Sequence, residues 1–370
     1  MFSAIDHVHM AHALRLAERG LFTTQPNPRV GCVIAHGDAV VGEGWHQRAG
    51  EPHAEVFALQ AAGDRAYDAT AYVTLEPCAH HGRTPPCAEA LIAAGVKRVV
   101  MASEDPFPQV DGRGRAGLRA AGIEVQAGLM REQARELNVG FFSRIERGRP
   151  FVRLKMAMSL DGRTALASGE SKWITSDAAR ADVQRWRARS SAILAGSGTV
   201  LADNPRLTVR LPDEQGGVTP WRVVLDRDLR VPASFRVMDD SAPTLLLHDA
   251  GLVSIQNIPT GICHAGVPLN AQGRLDLDVV LATLADRDVN ELHVEAGARL
   301  GGALLAGGHV DELLLYVAPV LLGHEGRALM ELPDIASMAD RWQLEVIEQR
   351  NVGPDWRLRL RPSRQPVPGA

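Results

Sequence analysis

Four residues in the first quarter of the chain have the types and order needed for metal chemistry. His53 and Glu55 flank Ala54, and two cysteines, Cys78 and Cys87, follow. One imidazole and two thiolates give zinc three protein ligands and leave the fourth tetrahedral position for water, as in catalytic sites. Zinc lowers the pKa of that water, and a hydroxide at neutral pH needs a partner that carries protons. We therefore expect His53, Cys78 and Cys87 to bind Zn²⁺ and Glu55 to be the catalytic proton carrier.

The order of these residues is typical of zinc deaminases that act on nucleobases. Such enzymes carry His-x-Glu followed by Pro-Cys, with the glutamate acting as an acid and base and not as a ligand. Common cytidine deaminases place the second cysteine after two residues, whereas residues 79–86 separate Cys78 from Cys87 here. His80 and His81 in this insert could compete as ligands, but the segment reads as a loop whose side chains face substrate or solvent.

Three segments of the second half could contact a phosphate or a cofactor. Lys155–Gly162 places a lysine in an apolar strand, and Ala195–Val200 and Val294–Gly302 are small-residue turns between a strand and a helix. Backbone N–H groups at such turns can bind phosphate. Gly-rich turns of this kind are common, so each segment alone is weak evidence. No GxGxxG follows a strand, so a Rossmann site is not indicated.

The elements that must position these residues alternate between strands and helices in the first half. Asp6 is expected to cap a helix that ends near Gly20, and the segment Val30–Trp45 reads as a hairpin. The remaining predicted elements are a helix from Pro52 to Gly63, a strand Ala71–Leu75, a helix from Pro86 to Ala94, strands Arg98–Ala102 and Ile123–Ala127, and a helix Arg131–Phe142. This alternation predicts an α/β layer fold with a partly parallel sheet.

A second α/β domain follows a charged segment, Arg144–Pro150, in which we place the domain boundary. The expected domains cover residues 1–146 and residues 150–366. The predicted strands are Phe151–Met158, Ala192–Ala195, Arg222–Leu225, Thr244–Leu247, Glu291–Glu295 and Leu313–Val317, and the predicted helices are Asp177–Ala188, Leu277–Ala285 and Ala298–Ala306.

Composition excludes several classes of partner. The chain has 370 residues, a formal net charge of −4 and 5% aromatic residues, which gives no reason to expect nucleic-acid binding. Neither a signal peptide nor a run of about 18 apolar residues is present, so we expect a cytoplasmic protein without a membrane partner. In such a protein, cysteines are ligands or core residues more often than disulfides. Cys32 and Cys263 are expected to be buried.

The first half resembles the deaminase domain of the bifunctional deaminase–reductases of riboflavin biosynthesis. The segments that carry this resemblance are Asn27–Gly31, Gly50–Glu55 and Thr74–Cys87. The resemblance implies a cytidine-deaminase-like α/β/α fold and, as substrate, 2,5-diamino-6-ribosylamino-4(3H)-pyrimidinone 5′-phosphate, which loses an amine as ammonia. It implies the same zinc ligands and the same role for Glu55. Asn27 resembles a substrate-positioning residue, although an asparagine before Pro28 is equally typical of a turn.

The second half resembles the reductase domain of the same family, which is related to dihydrofolate reductase in fold. The matching segments are Ser159–Gly162, Trp173–Thr175, Thr199–Arg210 and Val294–Gly297. The resemblance implies NADPH-dependent reduction of the ribosyl group of 5-amino-6-(5-phosphoribosylamino)uracil to ribityl. It implies cofactor contacts at Ala157, Trp173, Thr199, Asp203, Gly297, Ala298, Arg299, Leu300, Gly301, Gly302 and Ala303. It implies substrate contacts at Ser171, Arg187, Leu207, Arg210 and Glu295.

Several alternatives stay open at this point. Arg187 and Arg210 suit a sugar phosphate, because guanidinium groups bind phosphate in a bidentate manner, but solvated surface arginines would look the same in a sequence. Lys155, Asp203 or water could deliver the proton for the reduction. Ala296 stands where the family often has a glycine. How closely the backbone approaches the cofactor at this position is therefore left open.

Two other functions compete with the leading one. The first is a nucleic-acid or nucleoside deaminase with an appended binding domain, and the second is a zinc-stabilised scaffold or sensor without activity. The long spacing from Cys78 to Cys87 opposes the first, and the presence of Glu55 opposes the second. A homodimer is the ordinary expectation for such an enzyme.

Overall fold

A computed structural model describes residues 1–79, 86–107, 112–211, 217–253 and 258–363 of the chain. These residues form two compact units, of which the first is Met1–Gly148 with a short segment ending at Val218. The second unit begins at Arg149. Each unit is built around its own sheet, and the two are described separately below.

The first unit is a five-stranded mixed sheet between two layers of helices. Strands β1 and β2 form an antiparallel hairpin, and β3, β4 and β5 run parallel to one another in the order β2-β1-β3-β4-β5. The helices are α1 (Ala4–Glu18), α2 (Ala54–Ala62), α3 (Cys87–Ala93), α4 (Arg113–Ala120), α5 (Arg131–Leu137) and α6 (Val139–Arg147). The strands are β1 (Gly31–His36), β2 (Ala39–Trp45), β3 (Thr70–Leu75), β4 (Arg98–Ser103) and β5 (Glu124–Ala127).

The two faces of this sheet bury separate apolar clusters, as an α/β/α layer arrangement requires. Cys32, Ile34 and Val73 point to the side covered by α2, α3 and α4, and Val33 and Tyr72 point to the side covered by α1 and α5. Side chains of a strand alternate between its faces, so consecutive apolar residues fill both layers. The predicted α/β fold is confirmed, and Cys32 is fully buried as expected.

One local prediction for the first unit is wrong. Ser3, not Asp6, caps α1, and Asp6 is the third helical residue of a capping box with Ser3. The first residues of the charged segment Arg144–Pro150 form the last turn of α6. Its charged residues lie outward from a helix whose Phe141 and Phe142 pack against Leu75. Helix α4 was not predicted.

The second unit contains a nine-stranded sheet in the order β11-β10-β9-β8-β12-β6-β13-β16-β15. All neighbours from β11 to β13 are parallel, and β16 and β15 add antiparallel strands at one edge. Its strands are β6 (Phe151–Ser159), β8 (Ala192–Gly196), β9 (Trp221–Leu225), β10 (Thr244–Asp249), β11 (Cys263–Val267), β12 (Glu291–Glu295), β13 (Glu312–Ala318), β15 (Leu344–Val352) and β16 (Asp355–Pro362). Two short strands, β7 (Arg163–Ala165) and β14 (Arg327–Ala328), form a separate two-stranded sheet. The helices are α7 (Asp177–Arg189), α8 (Ser197–Asp203), α9 (Leu277–Ala285) and α10 (Ala298–Ala306).

The two faces of this sheet differ in chemistry. One face is apolar and packs against α9 and α10, with Leu154, Leu292 and Val294 at its centre. The face beneath α7 carries buried charges: the Arg153 guanidinium lies 2.6 Å from Glu312 and 3.1 Å from Glu291. These buried groups offset their desolvation by pairing with each other.

Cys263 is exposed on the edge strand β11, so the prediction that it is buried is wrong. An edge strand has a neighbour on one side only, which leaves its side chains open to water.

Within the described ranges, no helix combines the length and apolar character that spanning a bilayer requires.

Candidate functional site

The three proposed metal ligands come together where β3 ends and two helices begin. His53 is the residue before α2, Cys78 follows β3, and Cys87 is the first residue of α3. The His53 Nδ1 atom lies 3.6 Å from Cys78 Sγ and 3.3 Å from Cys87 Sγ. All three ligand atoms lie within 4.8 Å of one another. This donor set and its separation fit one tetrahedral zinc ion.

Hydrogen bonding within this group shifts the pKa of each member. The Cys87 thiol, together with His53, lowers the pKa of Cys78 to about 4. The contact with Cys78 and burial raise the pKa of Cys87, and the contact with Cys78 raises that of His53. The contacts with Cys87 and His53 thus favour the thiolate form of Cys78. Because metals bind thiolates and neutral imidazoles, zinc binding here would release protons.

Glu55 lies in the first turn of α2, beneath the same group. It is 3% exposed, and burial raises the pKa of its carboxyl. A carboxyl with a raised pKa can hold a proton at neutral pH and return it later, which is what a proton carrier needs. Glu55 is not among the residues whose atoms form the ligand group.

Asn27 is held close to this group by a histidine that the sequence analysis missed. The Asn27 Nδ2 atom lies 3.1 Å from His46 Nε2, and His46 Nδ1 lies 3.1 Å from the carbonyl of Pro52, next to His53. The His46 and His53 rings are 5.4 Å apart between centroids. His46 follows β2 and has no motif of its own, so only the fold relates it to Asn27.

The loop that carries Cys78 rests on the start of α4. Glu76 accepts hydrogen bonds from the backbone N–H groups of Gly112 (3.2 Å) and Arg115 (3.0 Å). A Cβ atom on Gly114 would lie 2.0 Å from the Pro77 carbonyl oxygen. These contacts with α4 fix the position of the loop that carries Cys78. The predicted loop residues His80 and His81 lie outside the described residues.

In the second unit, the proposed substrate residues Arg187 and Glu295 bind each other. Arg187 Nε and Nη2 donate to the two Glu295 oxygens at 2.6 and 2.8 Å, and Nη1 donates to the Thr208 carbonyl at 2.8 Å. Burial opposes ionisation of Glu295, but the Arg187 charge and hydrogen bonds lower its pKa well below the usual value. Arg187 is thus not a surface arginine. Its guanidinium group is bound to Glu295 and Thr208 and is not free to bind a phosphate.

Lys155 lies beside this pair, since it is aligned with Glu295 across strands β6 and β12. Burial lowers the pKa of its ammonium, with Glu295 acting in the opposite direction. Its Nζ atom lies 5.9 Å from the Tyr316 ring centroid. A lysine with a lowered pKa gives up a proton more readily than an exposed one.

The other proposed substrate residues lie on or near the loop after α8. Arg210 is exposed, and its backbone N–H donates to Gln184 at 3.0 Å. Leu207 is buried and has a positive φ of 50°, an uncommon conformation for a non-glycine residue. Asp203, a proposed cofactor contact, ends α8 and lies 3.6 Å from Lys172 Nζ. Ser171, the residue before Lys172, is a proposed substrate contact and is half-buried.

The proposed cofactor residues fall into two groups. Trp173 is 71% exposed, with the Arg180 guanidinium 4.4 Å from its ring centroid, and Ala157 lies on β6 beneath α7. Thr199 lies in the first turn of α8, which follows β8 directly, and close to the turn after β12. A Cβ on Gly297 would lie 4.0 Å from Thr199 Oγ1, and one on Gly196 would lie 3.4 Å from Leu300.

These adjacent turns leave room for a bound molecule. A Cβ on Gly198 would meet no atom within 4 Å, so the backbone there faces open space. Ala298 and Arg299 open α10, and Ala303 follows within it. Gly301 and Gly302 are buried, and a Cβ on Gly302 would lie 1.9 Å from the Glu331 carbonyl. The residues at these turns fit a nicotinamide dinucleotide along the carboxyl ends of the parallel strands.

Comparisons with known proteins match both units. Residues 3–103 match the model of the cytidine and deoxycytidylate deaminase zinc-binding region, and residues 150–358 match that of the RibD C-terminal domain. The riboflavin biosynthesis protein RibD of Escherichia coli strain K12 is 51% identical and covers 96% of this chain and 99% of its own.

Solved structures give the same result. Form 1 of RibD from Acinetobacter baumannii is 45% identical, with a TM-score of 0.91 over 97% of this chain and 99% of its own. The Thermotoga maritima protein described as a diaminohydroxyphosphoribosylaminopyrimidine deaminase/5-amino-6-(5-phosphoribosylamino)uracil reductase is 33% identical, with a TM-score of 0.86 over 97% and 99%.

Proposed function

The chain belongs to the RibD family of riboflavin biosynthesis proteins, and we propose that it carries out two consecutive reactions of that pathway. It is a deaminase and a reductase in one chain. The first reaction removes an amine from 2,5-diamino-6-ribosylamino-4(3H)-pyrimidinone 5′-phosphate. The second reduces the ribosyl group of 5-amino-6-(5-phosphoribosylamino)uracil to ribityl with NADPH.

The observation that carries the deaminase proposal is the His53, Cys78 and Cys87 group above a buried glutamate. Zinc bound by these three residues would supply an activated water for displacement of the amine. Glu55 takes a proton from that water and gives it to the departing nitrogen. The raised pKa of its carboxyl suits it to this role. Asn27 positions the pyrimidine, because His46 holds its amide beside the metal ligands.

In the reductase proposal, NADPH lies along the turns after β8 and β12, with Ala157, Trp173, Thr199, Asp203 and Gly297–Ala303 as its contacts. The nicotinamide supplies the hydride. Glu295 is kept ionised by Arg187, so it is suited to accept hydrogen bonds from sugar hydroxyls. Arg210, which is exposed, offers its guanidinium to the sugar phosphate, while Ser171 and Leu207 complete the substrate site.

A purified protein allows both reactions to be tested in one experiment. Ammonia release from the diaminopyrimidine and oxidation of NADPH by the deaminated product are measured with and without a zinc chelator. We expect the chelator to stop the first reaction and to leave the second unchanged. Release of ammonia from cytidine or from RNA, with none from the diaminopyrimidine, would favour a nucleoside or nucleic-acid deaminase instead.

We further propose that the chain acts as a homodimer in the cytoplasm. Closed two-fold dimers are the commonest assembly of metabolic enzymes. Light scattering of the purified protein would give twice the 39.9 kDa mass of the chain. A mass equal to that of one chain at micromolar concentration would exclude the dimer.

A further inference from the structure

A buried histidine lies two residues before Glu295 on β12. His293 is aligned with Arg153 on β6, so it lies on the sheet face beneath α7, and residues two apart on a strand share a face. The His293 side chain is 0% exposed, and its Nε2 atom lies 3.3 Å from Glu295 Oε1. His293 belongs to none of the cofactor or substrate contacts proposed so far, yet it touches one of the proposed substrate residues.

The ring nitrogens of His293 are not satisfied by well-directed hydrogen bonds. Neither nitrogen makes such a bond with a residue that the structure describes. The other carboxylate on this face of β12, Glu291, is already engaged, because it accepts from Arg153 at 3.1 Å and from Arg189 at 2.8 Å. A buried polar group without a partner costs free energy. Glu295 Oε1 is therefore the acceptor that we expect His293 to use.

The surroundings of His293 keep its ring neutral at neutral pH. Burial lowers the pKa of His293, and the Glu295 carboxylate acts in the opposite direction. The guanidinium groups of Arg187 and Arg153 lower the pKa further. A neutral imidazole carries one proton, which either nitrogen can hold. The proton is favoured on Nε2, because that nitrogen lies beside the Glu295 carboxylate.

The Glu295 carboxylate is contacted from two different elements. Arg187 approaches it from α7 and donates to both oxygens, at 2.6 and 2.8 Å. His293 approaches Oε1 from the strand that carries Glu295 itself. A carboxylate held by a long arginine side chain alone can move with that side chain, whereas a second contact from a rigid strand fixes its orientation. The Glu295 side chain is 18% exposed, so the fixed carboxylate still reaches a ligand.

We propose that His293 is a positioning residue for the reductase reaction: its Nε2–H donates to Glu295 Oε1 and orients the carboxylate that accepts a sugar hydroxyl of the pyrimidine substrate. This inference rests on the substrate contact proposed for Glu295. His293 acts through Glu295 and does not touch the substrate, because its own side chain has no exposed surface. Hydrogen bonds around a reacting group often shorten only when substrate binds, which accounts for the 3.3 Å separation.

Three substitutions in the full-length protein test the role of the Nε2 atom. The amide nitrogen of glutamine can take the place of Nε2, that of asparagine takes the place of Nδ1, and leucine has no donor. The rate of NADPH oxidation is measured at varied concentrations of the deaminated pyrimidine and of NADPH. We expect His293→Leu and His293→Asn to raise the KM for the pyrimidine about tenfold, and His293→Gln to stay within about threefold of the wild type. The KM for NADPH and kcat should stay unchanged, as for a lost substrate contact.

A double-mutant cycle measures whether His293 acts through Glu295. Glu295→Gln alone should raise the KM for the pyrimidine by about tenfold or more. Adding His293→Leu to it should raise that KM by no more than about a further twofold, because the carboxylate that His293 orients is already gone. Ile193→Val is the control, since Ile193 is fully buried, aligned with His293 on β8 and apolar, and it should keep the wild-type KM. Melting temperatures establish that each variant is folded.

Two results would overturn the inference. The same KM for the pyrimidine in the glutamine, asparagine and leucine variants of His293 would show that the Nε2 donor is not used. Effects of His293→Leu and Glu295→Gln that multiply in the double variant would show that His293 acts independently of Glu295. A folded Glu295→Gln protein with the wild-type KM for the pyrimidine would instead contradict the proposed substrate contact at Glu295, whatever His293 does.

Discussion

Glu55 is buried and Glu295 is half-buried, and their surroundings move the pKa values of their carboxyls in opposite directions. Burial raises the pKa of Glu55, whereas the Arg187 guanidinium overcomes burial and lowers that of Glu295. The first carboxyl is suited to gain and lose a proton, and the second stays ionised throughout the neutral range. Pairs of titratable groups whose environments separate their pKa values often mark different chemical roles.

The role of Glu55 can be tested by Glu55→Gln, which keeps the shape of the side chain and removes its ability to carry protons. We expect the variant to keep its zinc and to lose about 10²–10⁴-fold of its ammonia-release rate. Zinc is measured by elemental analysis and ammonia by a coupled assay. Glu132→Gln, on the exposed side of α5, should behave as the wild type. Near-normal turnover in a zinc-loaded Glu55→Gln protein would exclude Glu55 as the proton carrier.

For single residues, the sequence predicts which residues form a site but not which residues bind each other. His53, Cys78 and Cys87 could be grouped because motif spacing relates them. The pairing of Arg187 with Glu295 could not be foreseen, since the two residues are far apart in sequence and neither stands in a motif that names the other. The link from Asn27 through His46 to Pro52 likewise depends on how the β1–β2 hairpin packs against the start of α2.

Among the elements that carry no metal ligand, α4 makes direct contacts with the loop of Cys78. Its first residues bind Glu76, and Gly114 contacts the Pro77 carbonyl next to Cys78. Helix α4 was missed because its exposed face is charged and its sequence contains glycines. Strands β15 and β16 were missed for a similar reason: Leu344–Val352 is mostly polar and exposed, so it lacks the apolar alternation that predicts a strand.

The contact at Gly114 gives a matched pair of substitutions on one helix. Gly114→Ala places a Cβ atom 2.0 Å from the Pro77 carbonyl, so the Cys78 loop must shift and zinc affinity should fall by about tenfold or more. Gly117→Ala, where a Cβ meets no atom within 4 Å, should leave zinc affinity unchanged and stabilise α4 by up to about 1 kcal/mol. Zinc affinity is measured by competition with a chelating dye. Equal affinities in the two variants would disprove the coupling between α4 and Cys78.

The charged layer beneath α7 predicts a dependence of stability on pH. Although burial acts to raise it, the pKa of Glu312 is lowered from 4.5 to about 2, chiefly by Arg153. A lowered folded-state pKa adds stability that is fully present above the unfolded pKa and is lost as pH falls from about 4.5 toward 2. The contribution is about 3 kcal/mol at neutral pH.

Denaturant unfolding of the wild type and Glu312→Gln measures this contribution. The variant should be less stable at pH 7, and the difference between the two proteins should shrink as pH falls toward 2. Glu325→Gln, whose side chain is exposed, should match the wild type at every pH. A difference that stays constant from pH 7 to pH 2.5 would show that Glu312 is not held ionised by Arg153.

In the whole molecule, the two proposed reactions use separate sets of residues, and each set lies within its own compact unit. The fold class of both halves could be predicted, because regular alternation of apolar strands and helices carries that information. The extent of α6 to Arg147 could not, because the charged residues of its last turn show no apolar period. From this division we expect the two chemistries to be separable by mutation.

The measurement that tests this account most directly is made on the full-length Cys78→Ser protein. Its zinc content, its rate of ammonia release from the diaminopyrimidine, and its rate of NADPH oxidation with the deaminated product are compared with those of the wild type. We predict that zinc and ammonia release are lost together, while NADPH oxidation continues at the wild-type rate. Full zinc content with normal ammonia release would contradict the assigned metal site. Loss of NADPH oxidation in a folded variant would contradict two independent sites.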